Sequence, residues 1–135
     1  MSTKIFVNLP VKDLNKSIEF FTKLGYTFNA QFTDKTATCM IISESIYAML
    51  LTHKKFMDFT SKTIIDAHNN IEVMNAFSVD TREEVDAMME KALAAGATEN
   101  NQAQDHGFMY SRSFSDLDGH VWEMFWMDLN AIPQQ

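Results

Sequence analysis

Residues 116–128 read Asp-Leu-Asp-Gly-His-Val-Trp-Glu-Met-Phe-Trp-Met-Asp. A tight polar turn, Asp116-Leu-Asp-Gly119, leads into a run of large apolar residues that reads as a strand. One carboxylate, Glu123, stands in the middle of that run. Strand alternation puts Glu123 on one face with Val121, Phe125 and Met127. Buried there without a partner, it would cost several kcal/mol or take up a proton. It is therefore expected to be a metal ligand, a general base or half of an ion pair.

The preceding run, Phe108–Ser115, supplies a partner. If the hairpin loop is Asp116–Gly119, Ser115 faces His120, Arg112 lies across from Glu123 and Tyr110 lies across from Phe125. A loop one residue longer or shorter puts Ser111 or Ser113 there instead. An Arg112–Glu123 pair would make the acid a polar strut. A free Glu123 in an apolar site, with a raised pKa, would make it a general base.

Further out, the chain repeats its own plan. Ile5–Val11 alternates as a strand, and DLNKSIEFFTKLG follows as a helix with Leu14, Ile18, Phe21 and Leu24 on one face. Asp13 is its expected N-cap and Gly25 its stop. The second half has a strand from Val73 to Val79 and a capping box, Thr81-Arg-Glu-Glu84. Its helix buries Val85, Met88, Met89, Ala92 and Leu93 and stops at Gly96. Strand-like runs follow each helix: Thr27–Thr33, Thr36–Ser43 and Ile46–Thr52, then Ala97–Asn101, Phe108–Ser115 and His120–Met127. Each half reads β-α-β-β-β, so the expectation is one α+β domain over 1–135. Its modules span about 4–52 and about 71–128, with a polar linker over about 53–70 that includes a short helix near Lys54–Phe59.

Composition narrows the function. At 135 residues, 46% hydrophobic and 21% charged, the chain has the make-up of a single folded domain. Its net charge of −7, with no basic cluster beyond Lys54-Lys55, disfavours nucleic acid and anionic membrane. Cys39 is the only cysteine, which rules out an internal disulfide and fits a reducing compartment. No secretory leader or membrane-spanning run is legible, so a cytoplasmic location is expected. Ten Met and eleven Phe suit a soft core or an irregular apolar cavity. There is no Gly-rich phosphate loop, no G-x-S-x-G and no H-E-x-x-H. Cys39, in Ala37-Thr-Cys-Met-Ile-Ile42, reads as a buried inert thiol.

Two segments carry a family resemblance. FVNLPVKDLNKSIEFFTKLGY resembles the opening, and FSDLDGHVWEMFW the closing hairpin, of the vicinal-oxygen-chelate superfamily. These are the glyoxalase, bleomycin-resistance and extradiol-dioxygenase proteins, and the chain is similar to small bacterial members labelled as predicted lactoylglutathione lyases. The resemblance spans Ile5 to Met127. It implies two tandem βαβββ modules forming a cupped, incomplete barrel, and a homodimer.

The resemblance also implies a divalent metal (zinc, nickel, manganese or iron) held by four side chains, one from the first and one from the last strand of each module. Carried over position by position, the four are Phe6, Leu50, Met74 and Glu123. Such ions need O, N or S donors at about 2.0–2.3 Å, and phenyl and aliphatic side chains offer none. A register shift of two residues brings in only Asn8, a weak amide ligand. His120 and Glu123, three apart in a strand, point to opposite faces. His53, His68 and His106 fall at a strand end, in the linker and in a loop, where solvated imidazoles are expected. A site shared across a dimer stays open.

No metal or other cofactor is therefore expected. The expected function is binding of a small organic molecule, with Phe6, Asn8, Leu50, Met74, Tyr110, Arg112 and Phe125 lining the site beside Glu123. The acidic charge favours a cationic ligand. The alternative is a glyoxalase-type lyase or isomerase with Glu123 as base or metal ligand. Without the metal, Asn8, Tyr110 and Arg112 would have to hold the developing oxyanion. A structural or regulatory dimer with a filled cup is the third possibility.

Overall fold

The computed structural model describes residues 2–131. The chain divides into two compact units, Met1–Ile65 and Asp66–Gln135, and the boundary falls within the polar linker. Both units mix helix with a single sheet, and neither sheet closes on itself.

In the first unit, β1 (Ile5–Val11) leads into α1 (Leu14–Lys23), then β2 (Thr27–Asn29), β3 (Ala37–Ile41) and β4 (Ile46–Thr52). The sheet order is β1-β4-β3-β2, with β1 parallel to β4 and the other pairs antiparallel. Asp13 caps α1 by accepting from the Lys16 N–H, and Gly25 takes φ 103° just after the helix, where a side chain would be strained. Leu14, Ser17, Phe20 and Phe21 are the buried residues of α1. Ile18 is only half-buried, so the buried stripe lies slightly to one side of the expected one. The strand expected over 27–33 ends at Asn29, because the Asn29 side chain accepts from the Gln31 N–H and starts a 3-10 turn over Ala30–Phe32. A single helical turn, α2 (His53–Phe56), follows β4 and is capped by Thr52.

In the second unit, β5 (Met74–Ser78) leads into α3 (Arg82–Ala94), then β6 (Thr98–Glu99), β7 (Gln104–Asp105), β8 (Met109–Ser115) and β9 (Val121–Met127). The order is β5-β9-β8-β6, with β7 also on β8. Thr81 accepts from the Glu84 N–H as the capping box requires. The returning carboxylate takes the N–H of Asp80, one residue earlier than the usual partner. The strand expected over 97–101 shortens to Thr98–Glu99, and a further short strand that was not expected, Gln104–Asp105, follows the loop 100–103; both are hydrogen-bonded to β8.

The β8–β9 hairpin departs from the expected register. Asp116 is buried and gathers the turn around its side chain. Its Oδ1 accepts from the N–H groups of Asp118 and His120, and its Oδ2 from the Trp122 indole. His120 is thereby drawn into the loop, and Ser115 pairs with Val121. Ser113 then stands opposite Glu123, Arg112 opposite Met124 and Tyr110 opposite Trp126. The predicted pairing of Arg112 with Glu123, and of Tyr110 with Phe125, is corrected accordingly. Gly119 closes the turn at φ 88°, and a Cβ there would lie 2.6–2.8 Å from the backbone of Ala67 and His68.

Among the described residues, no helix is long and apolar enough to cross a membrane.

Candidate functional site

Pairing register decides which side chains share a face. On β9, Val121, Glu123, Phe125 and Met127 point one way, and β8 brings Ser115, Ser113, Ser111 and Met109 to the same side. The parallel neighbour β5 adds Met74, Ala76 and Ser78 opposite Val121, Glu123 and Phe125. Glu123 therefore stands between two small residues, Ala76 and Ser113, and Phe125 between Ser78 and Ser111. Ala76 and Ser78 are exposed, Glu123, Ser113 and Phe125 half-buried, and Ser111 buried. Asn100 reaches onto this face from the loop after β6, donating its side-chain N–H to Ser113 Oγ at 3.2 Å. Ser113 keeps its own O–H to offer.

The opposite face of the same sheet meets α3. Tyr110 donates its hydroxyl to Asp86 on that helix at 2.6 Å, and Arg112 donates to the same carboxylate at 3.1 Å. Arg112 also grips both carboxylate oxygens of Glu99, and its side chain is only 16% exposed. The Asp86 carboxyl is held below its ordinary range, first by the Tyr110 hydroxyl and then by Arg112. Nearby, Arg82 forms a two-pronged pair with Asp105 and sits over the rings of Tyr110 and Trp126, 4.5 and 5.6 Å from their centroids. Arg82 first, and then the Gly107 N–H, lower the Asp105 carboxyl to about 2. Arg82 and Arg112 are thus engaged on the helix side. On Glu123's own face the strands bring no Lys or Arg, and Glu123 has neither an ion pair nor a side-chain hydrogen bond among the described residues.

In the first unit, Phe6 faces Tyr47 with rings stacked at 4.8 Å, and Asn8 faces Met49. Leu50 pairs with Leu9, which places it on the opposite face from Phe6, and it is 0% exposed. It is a core residue. By the register of the two sheets, the first unit's counterpart of Glu123 is Met49. On β9, Glu123 lies one same-face step beyond Val121, the residue opposite Met74. On β4, Met49 lies one such step beyond Tyr47, the residue opposite Phe6. Phe6 and Met74 are 48% and 59% exposed, high for such large apolar side chains.

Of the residues expected to line one site, the second unit brings Met74, Phe125 and Glu123 to one face and sends Tyr110 and Arg112 to the other. Phe6 and Asn8 share a face of the first unit, and Leu50 is withdrawn into its core. Ala76, Ser78 and Asn100 were not anticipated. A signal for this face was present in the period-two run Ser111-Arg-Ser-Phe-Ser115, whose small polar positions lie beside Glu123.

The donor set does not suit the divalent metal that the resemblance implies. Phe6 and Met49 offer one thioether between them, and Met74 and Glu123 one thioether and one carboxylate. Hard and borderline ions prefer three or four O or N donors, or thiolates. Among the described residues, no three His, Cys, Asp or Glu side chains are grouped as such a centre requires. His53, His68 and His106 are exposed, and His120 is half-buried in the hairpin turn.

The chain is similar to known proteins at two levels. A family model described as bleomycin resistance protein-like N-terminal matches residues 3–43, from just before β1 through β3. In fold, the chain is similar to a hypothetical protein, SA1046, from S. aureus, at 28% identity and TM-score 0.79 over 93% of this chain and 94% of that one. A glyoxalase/bleomycin resistance protein/dioxygenase family enzyme from Burkholderia phytofirmans matches at 20% identity and TM-score 0.77, over 93% and 99%. A fosfomycin resistance protein, FosX, from Listeria monocytogenes matches at 20% and 0.69, over 96% and 97%. No curated protein matches the chain significantly in sequence.

Proposed function

Taking the chain as a member of the vicinal-oxygen-chelate superfamily, which the family model and the structural neighbours support, we propose that it binds a small organic molecule without a metal, against the sheet face that carries Glu123. The observation behind this reading is the isolation of Glu123. It is a half-buried carboxylate between Ala76 and Ser113, with hydroxyls and an amide at hand, and among the described residues β5, β8 and β9 bring no Lys, Arg, His or second carboxylate to its face. Small residues beside a polar anchor and an aromatic ring are the ordinary ingredients of a ligand site. A cytoplasmic homodimer belongs to the same reading. The net charge of −7 weighs against nucleic acid and anionic membrane as partners.

A glyoxalase-type lyase ranks below it. Lifting a proton next to a carbonyl calls for a base and for something to hold the enediolate. Glu123 could serve as the base. Arg112 and Tyr110 cannot serve as its oxyanion donors from where they lie, because both project from the other face and are tied to Asp86.

A fragment library screened by NMR against the chelator-treated protein tests the proposal. Binding is expected to move the amide signals of Ala76, Ser113 and Phe125. A library that leaves those signals in place would overturn it.

A further inference from the structure

We propose that the ligand of this face is an organic cation, an ammonium group carried on an apolar body, with Glu123 taking the ammonium and Phe125 the body. The inference rests on the small-molecule reading above and adds the chemical class.

Charge is the first argument. Glu123 is the one ionisable side chain that β5, β8 and β9 bring to their shared face. The nearest strand cation, Arg112, faces α3 and is shared between Asp86 and Glu99. A half-buried carboxylate facing hydroxyls and hydrocarbon is better matched by a ligand cation than by a neutral group, because charge-assisted hydrogen bonds are the stronger kind. The chain as a whole, at −7, attracts the same sign.

Shape is the second. The neighbours of Glu123 across the sheet are Ala76 and Ser113, and those of Phe125 are Ser78 and Ser111. These side chains are short, and Ala76 and Ser78 are exposed on the outer strand beside the half-buried carboxylate and ring. The row is also graded. Ser113 and Asn100 lie beside Glu123, Ser78 and Ser111 flank Phe125, and Met127 and Met109 make the far end apolar. An ammonium at one end of a ligand and hydrocarbon at the other fit this grading. Ser113 can share the ammonium protons, since its Oγ is oriented by Asn100.

The test uses two isosteric probes, 2-phenylethylamine and 2-phenylethanol, titrated by NMR into the wild-type chain and into Glu123→Gln and Ala76→Phe. The amine is expected to bind about tenfold or more tightly than the alcohol, as a hydrogen bond to a charged group would give. Glu123→Gln should bring the amine down to the level of the alcohol. Ala76→Phe, a change at an exposed position, should weaken the amine by filling the space beside the carboxylate. Equal binding of the two probes, or an amine indifferent to Glu123→Gln, overturns the cation assignment. So does an amine that fails to bind while neutral fragments still move Ala76, Ser113 and Phe125, and the small-molecule reading then stands. If neither probe nor any fragment moves those signals, both fall.

Discussion

Arg112 and Glu123 lie on opposite faces of one sheet, one residue out of register across the β8–β9 hairpin. Arg112 belongs to a network with Asp86 and Glu99, and Glu123 points to the other face. The two should therefore be energetically independent. Arg112→Ala, which strips a partner from Asp86, Glu90 and Glu99, should cost about 1–2 kcal/mol in urea unfolding, and Glu123→Gln less than about 0.5 kcal/mol. The double mutant should cost the sum of the two, and a coupling above about 1 kcal/mol would place the residues in contact after all.

Leu50 and Met49 are neighbours in sequence with opposite duties. Leu50→Ala should destabilise by about 2–5 kcal/mol, as removal of a fully buried leucine does. Met49→Ala, half-buried on the face that carries Phe6 and Asn8, should cost clearly less. Equal losses in chemical denaturation would contradict the register of β1 on β4.

The hairpin turn carries a sharper comparison. At Gly119 an alanine meets both a left-handed φ and backbone atoms of Ala67 and His68 at 2.6–2.8 Å. At Gly107 the φ is 79° with nothing nearby. Gly107→Ala should cost about 1 kcal/mol, the price of the left-handed conformation alone. Gly119→Ala should cost about 3 kcal/mol or more and lower the melting temperature accordingly. A similar loss from Asp116→Ala would follow from orphaning the buried Trp122 indole, at about 1–3 kcal/mol, together with the part-buried N–H groups of Asp118 and His120, at less for each.

The Arg82–Asp105 pair makes a pH prediction. The folded value of Asp105, about 2, lies below its unfolded value near 4. The contribution of the pair is therefore present above about pH 4 and is lost as pH falls towards 2. A carbon-detected NMR titration should find the Asp105 midpoint near the lower value. Arg82→Ala should raise it towards the ordinary carboxylate range, with the Gly107 N–H still holding it below, and an unmoved midpoint would mean that Arg82 is not its main cause.

Much of the architecture is legible in the residues. The doubled strand–helix–strands plan, the caps at Asp13 and Thr81 and the stops at Gly25 and Gly96 depend on local signals a few residues long, and local signals survive in a sequence. Register does not. One extra residue drawn into the Asp116 turn moves Ser113 into the place expected of Arg112, and no periodicity in the strands reports that step, because the hydrogen bonds of the Asp116 side chain decide it. The same limit applies to Leu50. Leu-Leu-Thr looks alike whichever leucine faces inward, and only the pairing with Leu9 decides between them. Glu123 stood out because an acid in an apolar strand needs a reason, whereas Ala76 and Ser78 matter for what they leave open. Small residues announce little in a sequence.

The claim that the Glu123 face works without a metal is tested most directly by elemental mass spectrometry. The protein would be loaded in turn with zinc, nickel, manganese and ferrous iron and then dialysed. Beside Glu123 its own sheet face offers only methionine thioethers, serine hydroxyls and the Asn100 amide, too weak a donor set to hold any of these ions, so the metal content should fall far below one per chain. Retention of about one metal per chain would contradict the account and return Glu123 to the role of a ligand.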